Sequence, residues 1–186
     1  MRTVAVNEPA PVITLAEAKE HLRVDSDDED ALITGMVAAA TAHISGPDGY
    51  LNRVIGVQML QTYLARFPGS AFRLPYGPVR TITSVEYRNG EVWQAIDQTD
   101  YELNGNILEP VPGVSWPSFS LTRREHVRVL YEAGYETAPF PVKAAIFLMV
   151  GDLYANRETV VTGTIASEVP MPTAVKTLLE PYRDYR

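Results

Sequence analysis

The hydrophobic pattern of this 186-residue chain changes its period twice, and this change limits the possible fold more than any other feature. Apolar residues recur at steps of three and four up to Ile44, in short alternating runs from Val57 to about Gly134, and at helical steps again after Pro139. A period near 3.6 indicates a helix, and a period of two indicates a strand. The sequence therefore predicts an α+β protein in which an antiparallel β module is inserted into a helical body.

Two helices are predicted before the β module. Thr14 and Glu17 have the spacing of a capping box, in which each side chain binds the other's backbone N–H group. Ser26 and Glu29 repeat that spacing at the start of a second apolar stripe, which continues to the Gly46-Pro47 break. The sequence predicts a helix hairpin whose second helix has an acidic start.

The acidic run VDSDDEDALI also raises the alternative of a calcium loop. An EF-hand loop beginning at Asp25 requires glycine at its sixth position and glutamate at its twelfth. Asp30 and Met36 occupy those positions, so the sequence predicts a helix start here and no metal site.

The middle of the chain contains about five to seven predicted strands. Asn89-Gly90 and Asn104-Gly105 each lie between two strand-like runs, and Asn-Gly is a strong hairpin signal. The longest irregular stretch of the module contains Trp116, which either anchors that loop against the sheet or contacts a partner. We favour anchoring.

A third helix is predicted after Pro139, and its circumference is mostly apolar. Four residues are expected to pack within the subunit: Val142, Ile146, Met149 and Leu153. Phe147 and Leu148 widen the stripe, and we expect them to face a neighbouring subunit. A short amphipathic helix, TAVKTLLEPYRDYR, ends the chain and must gain its order from a surface that it packs against. The predicted organisation is helical at 1–56, β at 57–135 and helical at 136–186, forming one structural unit overall.

The sequence contains no recognisable catalytic constellation. There is no cysteine, and His21, His43 and His126 have no metal-ligand or catalytic spacing. No stretch has the length and apolar character of a membrane span. We therefore expect no enzyme activity, no cofactor and no membrane association. The alternative of an enzyme or a small-ligand module would require a polar site between the β module and the helices.

The net charge of −7 is concentrated in the N-terminal part of the chain. Residues 1–56 hold four basic and nine acidic side chains. Because nucleic-acid affinity depends largely on cation contacts with phosphates, this chain is a poor candidate for gripping DNA.

Several segments occur in an order that resembles a known family. They are ITLAEAKEHLRVDSDDEDALITGMVAAATAHI, RLPYGPVRTITSVEY, RVLYEAGY and PVKAAIFLMVGDLYANRETVVTG, followed by the short C-terminal helix. Together they resemble the head–tail connector (adaptor) family of long-tailed bacteriophages, and especially its β-inserted branch, which also occurs in gene transfer agents. The resemblance covers nearly the whole chain.

The resemblance implies a structural protein of the particle neck, present in the bacterial cytoplasm during assembly. It implies a homo-oligomeric ring, commonly of twelve copies, between the portal protein and a stopper or tail-completion protein, with DNA passing through without specific binding. It assigns portal docking to the C-terminal segment, at Val175, Leu178, Leu179, Tyr182, Arg183 and Arg186. We expect the subunit interface to contain Phe147, Leu148, Arg157 and Glu158. The alternative within the same particle is a tail-completion or stopper protein.

Overall fold

The residues that the structure describes form an α+β fold with four α-helices and antiparallel sheets, and the sequence predicts this fold class. The structure is a computed structural model, and it describes residues 1–119, 124–157 and 171–185. The chain divides into two compact units. Unit 1 comprises Met1–Ala10 and Arg53–Glu136, and unit 2 comprises Pro11–Asn52 and Thr137–Arg186.

Unit 1 contains the β structure. Its strands are β1 (Arg2–Ala5), β2 (Gln58–Leu64), β3 (Phe72–Arg73), β4 (Val79–Asn89), β5 (Val92–Ala95), β6 (Tyr101–Asn104), β7 (Ile107–Pro110) and β8 (Val127–Ala133). They form a five-stranded sheet in the order β1-β2-β8-β4-β5 and a three-stranded sheet in the order β3-β7-β6. All of the strand pairs are antiparallel. Seven of the strands lie within 57–135, which agrees with the predicted number.

The core of unit 1 follows from the alternation of side chains along β2 and β8. Every second residue of both strands is buried, because successive side chains of a strand point to opposite faces. Tyr131 of β8 is fully buried, and its hydroxyl donates a 2.8 Å hydrogen bond to the carbonyl oxygen of Pro75. The hydroxyl of Thr62 lies 3.1 Å from the same oxygen of Tyr131. The polar groups that alternation carries into this core are thus hydrogen-bonded.

Both predicted hairpins are present, with the turn one residue later than the Asn-Gly pairs suggest. Asn89 pairs with Val92, so Gly90 and the following residue form the first turn. Asn104 pairs with Ile107, so Gly105 begins the second. The φ angles of Gly90 and Gly105 are 70° and 62°, a region that glycine occupies without steric cost.

Strand β1 differs from the prediction, in which residues 1–56 belong to the helical part of the chain. Arg2–Ala5 pairs with β2 along its whole length, from Arg2 opposite Tyr63 to Ala5 opposite Leu60. Four residues are too few to show a period, so only the pairing with β2 identifies this strand.

Unit 2 contains the four helices. They are α1 (Leu15–Leu22), α2 (Asp30–Ile44), α3 (Phe140–Ala155) and α4 (Thr173–Leu179), and a 3₁₀ turn, Glu180–Tyr182, follows α4. Helix α3 packs against α1, α2 and α4. No helix in the described part of the chain is both long enough and apolar enough to cross a membrane.

The first capping box is confirmed and the second prediction is wrong. The Thr14 hydroxyl accepts a hydrogen bond from the Glu17 backbone N–H group, and the Glu17 carboxylate accepts one from the Thr14 N–H group. Helix α2 instead begins after Glu29, whose side chain makes no capping bond. The reason is that the Glu29 carboxylate binds partners at the end of α3.

The predicted inner stripe of α3 is correct except at its last member. Val142 and Ile146 are fully buried, and Met149 is half-buried. Leu153 is 39% exposed, because it lies in the last turn of the helix, near Ala155.

Candidate assembly surfaces

Helix α3 has an apolar side that the rest of unit 2 does not cover. Phe140 is 86% exposed and Leu148 is 44% exposed, although the helix is apolar around most of its circumference. Phe140, Ala144 and Leu148 are spaced by four residues, so they lie along one face. Helices that are apolar all round are usually buried, so this face is a candidate for contact with another protein chain.

Phe147, the second residue predicted to face a neighbouring subunit, is half-buried in its own subunit. Its ring stacks on the imidazole of His21 in α1, with 5.0 Å between the ring centroids. Of the two residues, Leu148 therefore offers the more accessible side chain.

Arg157 is held at the end of α3 by an ion pair. Its guanidinium lies 2.6 Å from the Glu29 carboxylate, and Tyr154 donates a hydrogen bond to the same carboxylate. The guanidinium also lies over the Tyr154 ring, 4.2 Å from its centroid. Arg157 and then Tyr154 lower the pKa of Glu29, because both stabilise its charged form. This cluster joins the start of α2 to the end of α3.

Lys19 neutralises part of the acidic start of α2. Its amine lies 2.6 Å from the Asp27 carboxylate and 2.7 Å from that of Asp30. Lys19 thus already supplies a positive charge to the Asp27 and Asp30 carboxylates, which reduces their need for a bound cation. Within residues 1–119, 124–157 and 171–185, no group of three or more His, Asp or Glu side chains is placed to hold a metal ion.

Helix α4 packs against α3, and this packing uses half of the predicted docking face. Val175 is 1% exposed and Leu179 is fully buried, so both belong to the core of unit 2. Leu178 and Tyr182 are half-buried and offer part of their surface to solvent.

Arg183, a predicted contact with acidic groups of the portal, is already stacked within the chain. Its guanidinium lies 4.5 Å from the centroid of the Tyr50 ring and 5.0 Å from that of Tyr185. Glu180 accepts hydrogen bonds from the hydroxyls of both tyrosines. The backbone N–H group of Asp184 donates to the Leu51 carbonyl oxygen at 2.9 Å.

The remaining two predicted residues, Glu158 and Arg186, lie outside the described residues.

An aromatic groove in unit 1 was not assigned a role from the sequence. The rings of Phe67 and Trp116 are parallel, with centroids 4.5 Å apart, and Phe119 meets Phe67 edge-on. The Trp116 indole N–H group donates a 2.9 Å hydrogen bond to the Ser70 carbonyl oxygen, which confirms that Trp116 anchors its loop. Its side chain is nevertheless half-exposed and lines an open groove of about 520 Å³.

The charged groups described in these regions are held in ion pairs or hydrogen bonds that join structural elements. The exposed apolar side chains beside them, such as Phe140 and Leu148, can bury surface against another chain.

Comparison with known proteins gives a family and a fold. A family model described as head completion protein matches residues 11–185. A chain from the neck of an empty gene transfer agent particle, computed with C6 symmetry, has 21% identity and a TM-score of 0.78, covering 100% of this chain and 97% of that one. A chain from the virion of a native gene transfer agent particle has 22% identity and a TM-score of 0.77 with the same coverage.

A third similar chain comes from the neck of a native gene transfer agent particle computed with C12 symmetry. Its identity is 20%, its TM-score is 0.71, and the coverage is again 100% and 97%. No curated protein matches the sequence. At these identities the structural matches establish the fold.

Proposed function

Because this chain belongs to the head completion protein family, we propose that it is a structural head–tail connector of a bacteriophage or gene transfer agent particle. In this role, copies of the chain form a ring between the portal protein and a stopper or tail-completion protein, and DNA passes through the ring. The protein acts by position and shape, without a chemical reaction.

The observation that carries the proposal is the full-length match to a neck protein. The similarity covers 100% of this chain, so it includes both the helical unit and the β unit. The neck particles were computed with C6 and C12 symmetry, which supports a ring, and twelve copies is the number we propose.

We assign the lateral contact between copies to the exposed side of α3. Assembly would bury the exposed apolar surface of Leu148 and Phe140. Burial of apolar surface makes the main favourable contribution to most protein association. Phe147 contributes the part of its ring that His21 leaves open. Arg157 lies at the end of the same helix, and Glu158 follows it in the sequence.

We assign portal docking to the C-terminal segment. In contrast to the sequence prediction, only some of its apolar residues are available for docking. Val175 and Leu179 hold α4 on the body of unit 2, since both are buried. Leu178 and Tyr182 offer the accessible docking surface. Arg183 contributes once its stacking on Tyr50 is exchanged for an acidic partner, and Arg186 is the remaining predicted contact.

The charge distribution suits passage of DNA without retention. Residues 1–56 carry nine acidic side chains and four basic ones, and two of the basic ones, Lys19 and Arg2, are engaged in ion pairs. DNA affinity depends on cations that displace counterions from the phosphates. A surface of this composition repels the duplex and leaves it able to move.

The test is deletion of the gene in a particle-producing strain, followed by electron microscopy of the purified particles. We expect DNA-filled heads without tails, and restoration of tails by the full-length chain. Labelled full-length protein should then be found between portal and tail. A stopper would instead lie one layer further from the portal, and normal tailed particles in the deletion strain would refute a connector role.

A further inference from the structure

The aromatic groove of unit 1 has the chemistry of a binding site for an extended peptide. Phe67, Trp116 and Phe119 line it together with Pro110 and Pro117. Grooves lined by aromatic rings bind proline-containing segments, because such segments are already extended and lose little entropy on binding. The groove therefore favours an extended segment that contains proline.

The charge of the groove favours an acidic segment. Among the described residues that line the groove, Arg66 is the single charged one, and its side chain is exposed. Within the described part of the chain, Arg66 is in no ion pair. A carboxylate on the bound segment would supply the missing partner.

The chain itself carries a segment of this chemistry, Glu8-Pro9-Ala10-Pro11. All four residues are exposed, and the Glu8 carboxylate forms no ion pair with a described residue. Its two prolines restrict the backbone to extended conformations. Glu8 and Arg66 are thus complementary charges, and neither forms an ion pair with another described residue of its own chain.

The segment cannot reach the groove of its own chain. The Asn7 side chain accepts a 2.7 Å hydrogen bond from the Met59 N–H group, and the Ala10 N–H group donates a 2.8 Å bond to the Val57 carbonyl oxygen. Both bonds hold the segment at the start of β2, whereas the groove follows the end of β2. The seven residues of β2 span roughly 20 Å, and Glu8 lies only one residue from Asn7.

We propose that the Glu8–Pro11 segment of one copy docks into the aromatic groove of a second copy, with Glu8 paired to Arg66. The donor and acceptor surfaces differ, so the contact is head-to-tail, and contacts of this type generate rings when the rotation closes. The inference rests on the proposed ring and adds a second lateral contact to it, in which the acceptor surface is the groove of unit 1.

Cysteine cross-linking tests the contact directly, because the natural chain has no cysteine. One copy carries Pro9→Cys, and a second, tagged copy carries Ser115→Cys in the groove wall; both are produced together during particle assembly. A disulfide between them must join two copies. The control replaces Ser115→Cys by Gln94→Cys, an exposed position on β5 outside the groove. We expect at least about tenfold more cross-linked heterodimer with Ser115→Cys than with the control.

A charge exchange then tests the ion pair. In the same assay, Arg66→Glu in the groove copy should lower cross-linking about fivefold, and Glu8→Arg in the donor copy should restore it. Cross-linking no higher than the Gln94 control in particles that contain the chain would overturn the proposed contact and leave the connector function standing. Specific cross-linking in soluble oligomers, with the chain absent from finished particles, would instead refute the connector function.

Discussion

The same alanine substitution at two adjacent leucines of α4 should affect different properties: stability at Leu179 and tail attachment at Leu178. Leu179 is fully buried, whereas Leu178 is half-buried and forms part of the proposed docking surface. Leu179→Ala removes buried methyl groups and leaves a cavity, which costs about 2 to 5 kcal/mol of the free energy of unfolding. Leu178→Ala removes less buried area and should cost about 1 kcal/mol or less.

The measured effect of Leu179→Ala on stability depends on whether α4 unfolds together with unit 2 or opens by itself. A helix of seven residues is not stable alone, so its order depends on its packing against α3. If α4 unfolds together with unit 2, the full loss appears in the global free energy of unfolding. If α4 opens by itself, the loss appears first as faster amide exchange at Thr173–Leu179.

The assay is urea unfolding of both variants beside the unaltered chain, with hydrogen exchange of the α4 amides. We expect Leu179→Ala to lower the midpoint or abolish α4 protection, and Leu178→Ala to keep both close to those of the unaltered chain while impairing tail attachment. If Leu179→Ala changed neither stability nor exchange by more than about 0.5 kcal/mol, burial of this side chain would not be what orders α4.

Three further results are expected. Thr14→Ala should destabilise the chain by about 1 kcal/mol because it removes the cap of α1, whereas Ser26→Ala should have no comparable effect. Thermal unfolding measures both losses of stability, and equal losses would contradict the assignment of the cap to Thr14 alone. The Thr14 N–H group, followed by Lys143 and the Thr14 hydroxyl, lowers the pKa of Glu17 from 4.5 to about 2. The ionised Glu17 carboxylate therefore stabilises the folded chain fully above pH 4.5, and this stabilisation is lost as the pH falls towards 2. Because 39% of this side chain is exposed, we expect about 1 kcal/mol, and unfolding between pH 2 and 6 should show a smaller acid loss in Glu17→Gln. Leu148→Glu should leave the circular dichroism spectrum unchanged but prevent incorporation into particles, so a loss of helix signal would show Leu148 to be a core residue.

The elements whose signals are local were predictable from the sequence. Gly90 and Gly105 fix two hairpins because the turn needs a positive φ, and Thr14 caps α1 through a residue only three positions away. These interactions are complete within a few residues. A single sequence is therefore sufficient to identify them.

The interactions that depend on distant parts of the chain were missed or misassigned. Glu29 has the correct spacing for a capping box with Ser26, but its carboxylate binds Arg157 and Tyr154, which are more than a hundred residues away. Val175 and Leu178 look equivalent on a helical projection, and only the position of α3 makes Val175 core. The sequence thus identified the apolar side chains of the candidate surfaces, but not which of them the chain itself covers.

Each unit is built from two separate stretches of the chain, and this affects the order in which its parts are made on the ribosome. Residues 53–136 separate the two halves of unit 2, so α1 and α2 are made long before α3, against which they pack. A ribosome adding about 5–20 residues per second takes roughly 5 to 15 seconds to make the intervening stretch. During that time the apolar sides of α1 and α2 have no α3 to cover them, and a chaperone that binds nascent chains would meet them there. The hydrogen bond from the Asp184 N–H group to the Leu51 carbonyl oxygen cannot form before residue 184 has been made, so unit 2 closes only after all four of the described helices have been synthesised.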